Sequence, residues 1–279
     1  MHRIISKEKL NPVIHKMIIE APRAAQRVRP GQFVIIMIDE KGERIPLTIC
    51  GHDKDKGTIT IIFQEAGKTT KKLARLKEGD TLLNTAGPLG RPTMVTKTGK
   101  IVLIGGGVGI AELLPIAQFA KELGGDLTII IGARSGDLLI LEDELRRLTE
   151  RVYVTTDDGS YGEKGVVTQP LKRLLEKEKF SLAYCVGPDI MMKHVCLTTK
   201  EANLKTIVSL DANMVDATGM CGTCRVMVGG ETKFSCVDGP EFDGHQVDFT
   251  EFMARQKRFE REERIALENF EKECRCKKR

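Results

Sequence analysis

Residues 100–125 read KIVLIGGGVGIAELLPIAQFAKELGG. An apolar run of strand length ends in glycines, and an amphipathic helical pattern begins directly after them. The alternation continues through DLTIIIGAR (126–134), LEDELRRLTE (141–150), RVYVTTDD (151–158), VTQPLKRLLEKEK (167–179), LAYCVGP (182–188), DIMMKHVCLTTKEAN (189–203) and KTIVSLD (205–211). Repeated strand-helix units of this kind require a parallel sheet covered on both faces. Ligands of such sheets bind beyond the C-terminal ends of the strands. The loops GGGVG (105–109), GARSGD (132–137), TTDDGSYG (155–162) and GPD (187–189) all fall there.

The glycine loop is the first candidate site. Backbone N–H groups of Gly107, Val108 and Gly109, at the mouth of a helix, can hold a pyrophosphate where larger side chains would block it. Ile110 stands where the third glycine of the dinucleotide fingerprint belongs. A tight strand-to-helix turn with no ligand is the competing reading. Arg134, after the second parallel strand, suits a 2′-phosphate, whereas Asp137 and Asp158 favour free ribose hydroxyls.

The preceding 95 residues have a different grammar. VIHKMIIEAP (13–22), GQFVIIMID (31–39), IPLTICGHD (45–53) and GTITIIFQE (57–65) are strand-like runs separated by Gly, Pro and Asp signals. They predict a small antiparallel barrel, interrupted by a short helix at TTKKLARLKEG (69–79) and closed by the loop NTAGPLGRP (84–92). Gly67-Lys68-Thr69-Thr70 opens that helix and can offer N–H and hydroxyl donors to a phosphate.

After the parallel-sheet pattern comes SLDANMVDATGMCGTCRVMVGGETKFSCVDGP (209–240). Cys221, Cys224 and Cys236 match the last three slots of the plant-type [2Fe-2S] spacing, and Asp216 stands in the first. Val226–Val228 and Lys233–Ser235 predict two short strands around a Gly229-Gly230 turn, bringing the flanking thiols to one end. Two duller readings compete, a zinc half-site, for which His245 is the nearby histidine, and a thiol-disulfide pair. Asp211 and Asp238 are also close in sequence to the cysteines, and position favours Asp216.

The chain has 279 residues, 44 basic and 39 acidic, for a formal charge of +5. That balance, without an aromatic-interleaved basic patch, argues against nucleic acid. No apolar run approaches the roughly 20 residues needed to cross a bilayer, and MHRIISKEKL has no signal-peptide core. We expect a soluble, cytoplasmic protein that engages no membrane. Eight cysteines in that setting point to metal or redox use, with Cys50, Cys185 and Cys196 as core thiols and Cys274 and Cys276 as reduced thiols in a mobile tail. The five histidines form no convincing acid-base arrangement. The expected division is a barrel at 1–97, an α/β domain at 98–209, a cysteine lobe at 210–248 and one charged C-terminal helix at 249–279. Phe252, Phe259 and Ala266, with Phe249 and Phe270 near the same face, give that helix a thin apolar stripe for a partner or for its own domain.

Taken in order, barrel, GPLG, GGGVGIA, TDDGSYG, VGP and cysteine lobe resemble the ferredoxin-reductase-type flavoprotein subunits across nearly the whole chain. These include the electron-transfer subunit of dihydroorotate dehydrogenase and the small subunit of NADH-dependent ferredoxin:NADP oxidoreductase. Asp216 in the first ligand slot, GIAELLPIA and the helical tail resemble the latter. The resemblance implies FAD on the barrel, against Pro46, Leu47, Thr48 and Phe63, with its pyrophosphate at Gly67, Lys68, Thr69 and Thr70. It implies NAD(H) at Gly107, Val108, Gly109, Arg134, Asp158, Gly187 and Pro188, and a [2Fe-2S] cluster on Asp216, Cys221, Cys224 and Cys236. Ile45 occupies the slot of the family's flavin arginine, and Arg44 is one position early. The implied activity is hydride exchange between NAD(H) and FAD, with single electrons passed through the cluster to a larger flavin and iron-sulfur subunit in a heterodimer. Electrons would then reach ferredoxin indirectly, in bifurcation between NADH, NADPH and ferredoxin. The alternatives are the electron-transfer subunit of dihydroorotate dehydrogenase or of a sulfide or polysulfide reductase, and, in another class, a flavin-free zinc-binding subunit.

Overall fold

The computed structural model describes residues 1–95 and 99–276, with side-chain surroundings through 273. The boundary expected at 97/98 and the expectation for the Cys274 and Cys276 thiols lie outside the described residues.

Seven strands form the first unit: β1 (His2–Lys9), β2 (Ile14–Glu20), β3 (Phe33–Met37), β4 (Arg44–Asp53), β5 (Thr58–Gln64), β6 (Thr81–Leu82) and β7 (Asn84–Leu89). They pair antiparallel in the order β6-β1-β2-β5-β4-β3-β7. Only Leu83 separates the two edge strands, and its amide bonds the Ile38 carbonyl at 3.1 Å. The sheet thereby curls into a nearly closed barrel. Alternate residues Met17, Ile19, Val34, Ile36, Ile59, Ile61 and Phe63 fill its interior, as the period of two requires. Two short helices decorate it, α1 (Pro22–Ala25) and α2 (Lys68–Leu73).

The second unit carries β8 (Lys100–Gly106), β9 (Asp126–Ala133), β10 (Val152–Thr156), β11 (Glu163–Lys164), β12 (Leu182–Val186) and β13 (Thr206–Ser209). Its helices are α3 (Ile110–Glu122), α4 (Glu142–Arg146), α5 (Thr168–Lys177) and α6 (Asp189–Glu201). These six strands are parallel, in the order β11-β10-β9-β8-β12-β13. Ile101–Ile104 and Ile129–Ile131 are fully buried, each such side chain contributing about 1.5–3 kcal/mol. The chain moves outward from β8 to β10 and then returns to place β12 on the other side of β8. That reversal opens a crevice between the loops after β8 and β12, where open α/β sheets take their ligands.

The cysteine lobe follows. Its hairpin is β14 (Arg225–Val228) against β15 (Glu231–Phe234), turned by Gly229 and Gly230 at φ +60° and +79°, the backbone a two-residue hairpin demands. After α7 (Ser235–Asp238), β16 (Glu241–Asp243) adds antiparallel to β13. The lobe therefore shares the α/β sheet.

The tail is not the single helix expected. Asp248 caps α8 (Phe249–Gln256) through the amides of Thr250 and Glu251, a 3-10 turn occupies 257–259, and α9 (Glu260–Cys276) follows. The break has a packing reason. Phe249 and Phe252 are buried in the main core, while α9 lies on α2, with Lys71 paired to Glu271 at 2.6 Å and Arg75 over the Phe270 ring at 4.4 Å. One straight helix cannot serve both targets, and Phe259 between them is 38% exposed.

Candidate functional site

The barrel and the α/β unit meet along a cleft of about 440 Å³. Its barrel wall is Pro46, Leu47 and Thr48 of β4 with Phe63 and Gln64 of β5, and Thr70 of α2 stands at one end. A register shift between Ile49 and Gly51 interrupts the pairing of β4 with β5, the kind of irregularity that re-aims neighbouring side chains. Phe63 is held by His15, stacked at 5.6 Å. The facing wall is Gly106–Gly109 and Glu112 after β8, and Gly187, Pro188 and Asp189 after β12. Leu210, Asp211, Met214 and Pro240 complete it, and these belong to the two segments that flank the cysteine loop.

The glycines at the crevice have separate reasons. A Cβ on Gly109 would lie 2.9 Å from the Gly187 Cα and from the Val186 carbonyl oxygen, so glycine lets the two loops touch. Gly107 is left-handed at φ +57°, and nothing lies within 4 Å of where its Cβ would stand. Gly107 lines both the cleft and the cavity that adjoins it, where the missing side chain leaves room for a bound phosphate or ring. Ile110, in the slot of the missing third glycine, is buried at the start of α3.

Gly67 is likewise open around its Cβ position. The side-chain donors expected beside it are in use. The Thr70 hydroxyl accepts from the Ala66 and Gly67 amides at 3.0 Å each. Glu43 accepts from the Thr69 hydroxyl and pairs with Lys68 at 3.5 Å. A carboxylate thus engages two of the side chains that the sequence pattern assigns to a phosphate, and an anionic ligand using them would have to displace it.

A second cavity of about 680 Å³ adjoins the cleft and shares Gln64, Gly106, Gly107 and Pro188 with it. Arg134 lines this cavity with Val166, Ile190, Met191 and His194. Asp158 lies instead in a neighbouring recess with Asp137, Glu142, Asp143 and Glu144. Its carboxylate accepts from the Ser160 hydroxyl at 2.7 Å and amide at 2.9 Å, and those bonds hold it below the usual carboxylate range.

At the cysteine loop, Cys224 and Cys236 are buried and Cys221 is exposed. The Cys236 amide donates to the Cys224 sulfur at 3.5 Å, so the hairpin does bring two thiols together. Burial, with Cys224 beside it, pushes the Cys236 thiol up to about 12. Asp216 folds over the loop, accepting from the Thr218 amide at 2.7 Å and the Cys221 amide at 2.8 Å. Those bonds hold it low and place it next to Cys221. Ala217 is left-handed at φ 61°, a conformation costing about 1–3 kcal/mol that turns the chain between the carboxylate and the thiols. His245 bonds Thr199 at 3.0 Å. Among the described residues no three Cys, His, Asp or Glu side chains converge on a single-ion site.

Sequence reasoning missed the acids and the tyrosine behind the cleft. Glu112, buried on α3, accepts from the Tyr184 hydroxyl at 2.7 Å and from Thr48 at 3.3 Å. Tyr184 also reaches Glu241 at 3.0 Å. Burial raises Glu112 and pushes Glu241 up to about 7. Asp189, half-buried near Asp211, rises to about 6. The available signal was a lone polar residue in each of two apolar runs, AELLPIA and LAYCV.

Two family models match the chain. One, described as the iron-sulfur cluster binding domain of dihydroorotate dehydrogenase B, covers residues 211–248. The other, an oxidoreductase NAD-binding domain, covers residues 103–197. A dihydroorotate dehydrogenase B (NAD(+)) electron transfer subunit homolog of Thermotoga maritima is 45% identical over 270 residues, 97% of this chain and 95% of that one. An uncharacterized protein from the adh 3′ region of Clostridium beijerinckii is 49% identical over 272 residues, 94% and 92% of the two chains. A chain of the NADH-dependent reduced ferredoxin-NADP oxidoreductase structure, which concerns flavin-based electron bifurcation, superposes with a TM-score of 0.92 at 44% identity, covering 97% and 98%. Phthalate dioxygenase reductase shares the fold, with a TM-score of 0.59 at 17% identity over 82% and 86%. No helix among the described residues is long and apolar enough to cross a membrane.

Proposed function

The chain belongs to the family of electron-transfer subunits that takes in those of dihydroorotate dehydrogenase B and the small subunit of NADH-dependent reduced ferredoxin-NADP oxidoreductase, and on that premise we propose that it is the NADH-oxidising, FAD- and [2Fe-2S]-containing small subunit of a bifurcating oxidoreductase. The observation that carries the reading is the shared wall. The 440 Å³ cleft, the cavity that adjoins it at Gly107 and the cysteine loop flanked by Met214 and Pro240 meet at one junction. A flavin in the cleft would lie between a pyridine nucleotide and a cluster, and when bound it supplies hydride acceptance and single-electron release.

The residues take these roles. Pro46, Leu47, Thr48 and Phe63 form the flavin wall, and Gly67, Lys68, Thr69 and Thr70 meet its pyrophosphate once Glu43 is displaced. Gly107, Val108, Gly109, Gly187 and Pro188 seat the nucleotide at the crevice, with Arg134 in the adjoining cavity and Asp158 in the acidic recess beyond it. Asp216, Cys221, Cys224 and Cys236 hold the cluster. The proposed units are 1–97, 98–209, 210–248 and 249–279, with β16 of the third completing the sheet of the second. A larger flavin and iron-sulfur subunit receives the electrons and serves ferredoxin, in the cytoplasm.

Anaerobic copurification with the native partner, followed by the visible spectrum with iron, zinc and flavin analysis before and after NADH, tests this. Flavin and iron bands that bleach with NADH are expected. Zinc without flavin would refute it, and a dihydroorotate-oxidising or sulfide-linked partner would move the subunit to a sister complex.

A further inference from the structure

Five side chains make an unbroken hydrogen-bonded file from the cleft to the loop that joins barrel and sheet. Thr48 in the cleft wall donates to Glu112 Oε2 at 3.3 Å, Tyr184 bridges Glu112 Oε1 at 2.7 Å and Glu241 Oε1 at 3.0 Å, and Thr93 meets Glu241 Oε2 at 3.1 Å. Thr93 is half-buried, and its neighbour Met94 is 43% exposed. Hydroxyls and carboxyls alternate along the file, and each, when suitably protonated, both donates and accepts.

We infer that Thr48, Glu112, Tyr184, Glu241 and Thr93 are a proton relay that carries one proton from the cleft to solvent for each NADH oxidised. The inference rests on reading the cleft as the flavin site. Its balance is NADH → NAD⁺ + H⁺ + 2 e⁻. The C–H bond of the nicotinamide breaks, and its hydride brings two electrons and one proton into the cleft. The electrons leave singly through an iron-sulfur cluster to the partner, which is the oxidant. Electron passage through the cluster takes no proton with it, so one proton remains in the cleft, and the hydrogen-bonded file gives it an exit.

The local chemistry suits a relay. Tyr184 is fully buried and has one proton for two carboxyl neighbours. A second proton on one carboxyl lets the hydroxyl accept from that side and donate to the other, so that a single buried negative charge remains and is hydrogen-bonded by Tyr184. The groups facing Glu112 are Thr48 of β4, Tyr184 of β12, Ser209 of β13, Asp211 beyond it and, through Tyr184, Glu241 of β16. None of them is a cation, and burial is the leading cause of the upward shift at both carboxyls. Each step needs only that a proton entering at Thr48 displaces the next along the file.

Two measurements test this. In the first, holoprotein reduced with one equivalent of NADH is mixed rapidly with ferricyanide in weak buffer containing a pH-indicator dye, and the proton-release rate is divided by the flavin reoxidation rate of the same single turnover. Tyr184→Phe and Thr93→Val should lower that ratio about 10- to 100-fold and abolish its solvent isotope effect. Native ratios in both flavin-loaded variants would overturn the relay and leave the flavin reading intact. A chain that takes up no flavin would overturn both. In the second, the infrared spectrum of the flavin-free protein at pH 7 should contain a protonated-carboxyl C=O band that Glu112→Gln or Glu241→Gln removes. A spectrum that neither substitution alters would show that the carboxyl pair holds no proton and overturn the relay.

Discussion

Replacing Glu241 by Gln should remove one identifiable component of the pH dependence of stability. Burial holds the Glu241 carboxyl at about 7 against an ordinary 4.5. A raised native pKa means that the folded protein keeps a proton that the unfolded chain loses. The stabilisation is therefore fully present below 4.5 and is lost as pH rises through 7. At about 1.4 kcal/mol per pH unit, that span is worth about 3 kcal/mol. Glutamine preserves the bonds. Its oxygen can accept from the Met94 amide and Thr93 hydroxyl, and its NH₂ can donate to Tyr184, which keeps its bond to Glu112. Urea unfolding of the flavin-free protein at pH 4.5 and 8 measures the effect. The native protein should lose about 3 kcal/mol more across that range than Glu241→Gln. Parallel pH profiles, within about 0.5 kcal/mol, would refute the assignment of a buried, proton-holding carboxyl.

Other consequences are as direct. Gly109→Ala forces a methyl to within 2.9 Å of the Gly187 backbone, which should cost about 1–3 kcal/mol of stability and weaken NADH binding at least tenfold, read by thermal melts and nucleotide titration. Asp216→Cys should retain iron but shift the cluster potential, since a carboxylate is a harder donor than a thiolate; unchanged EPR and redox titration would exclude Asp216 as a ligand. The acidic recess of Asp137, Glu142, Asp143, Glu144 and Asp158 should raise the KM for NADPH above that for NADH, and the reverse order in steady-state kinetics would contradict it. Arg75→Ala, which removes the cation over Phe270, should loosen α9 by about 0.5–1 kcal/mol, seen as faster proteolysis at 257–259.

Local pattern carried most of the architecture. Apolar runs such as IVLI and LTIII, repeated in alternation with helical patterns, mark the centre of a covered parallel sheet, the strand-like runs before them fit a barrel, and Gly229-Gly230 predicts its own turn. Cysteine spacing placed the ligand candidates because a cluster loop is local in sequence. Three features depended on distance and were invisible until the chain folded. The tail broke at 257–259 because its two halves have different packing targets. Lys68 and Thr69 proved to be occupied by Glu43, 25 and 26 residues away. Glu112, Tyr184 and Glu241 come from separate elements, and each looks ordinary within its own run. Strand and helix periodicity, turns and cysteine spacing follow from interactions between near neighbours, so the sequence by itself determined them. A buried hydrogen-bonded file exists only when several elements surround it and exclude water, and that the tertiary structure alone decided.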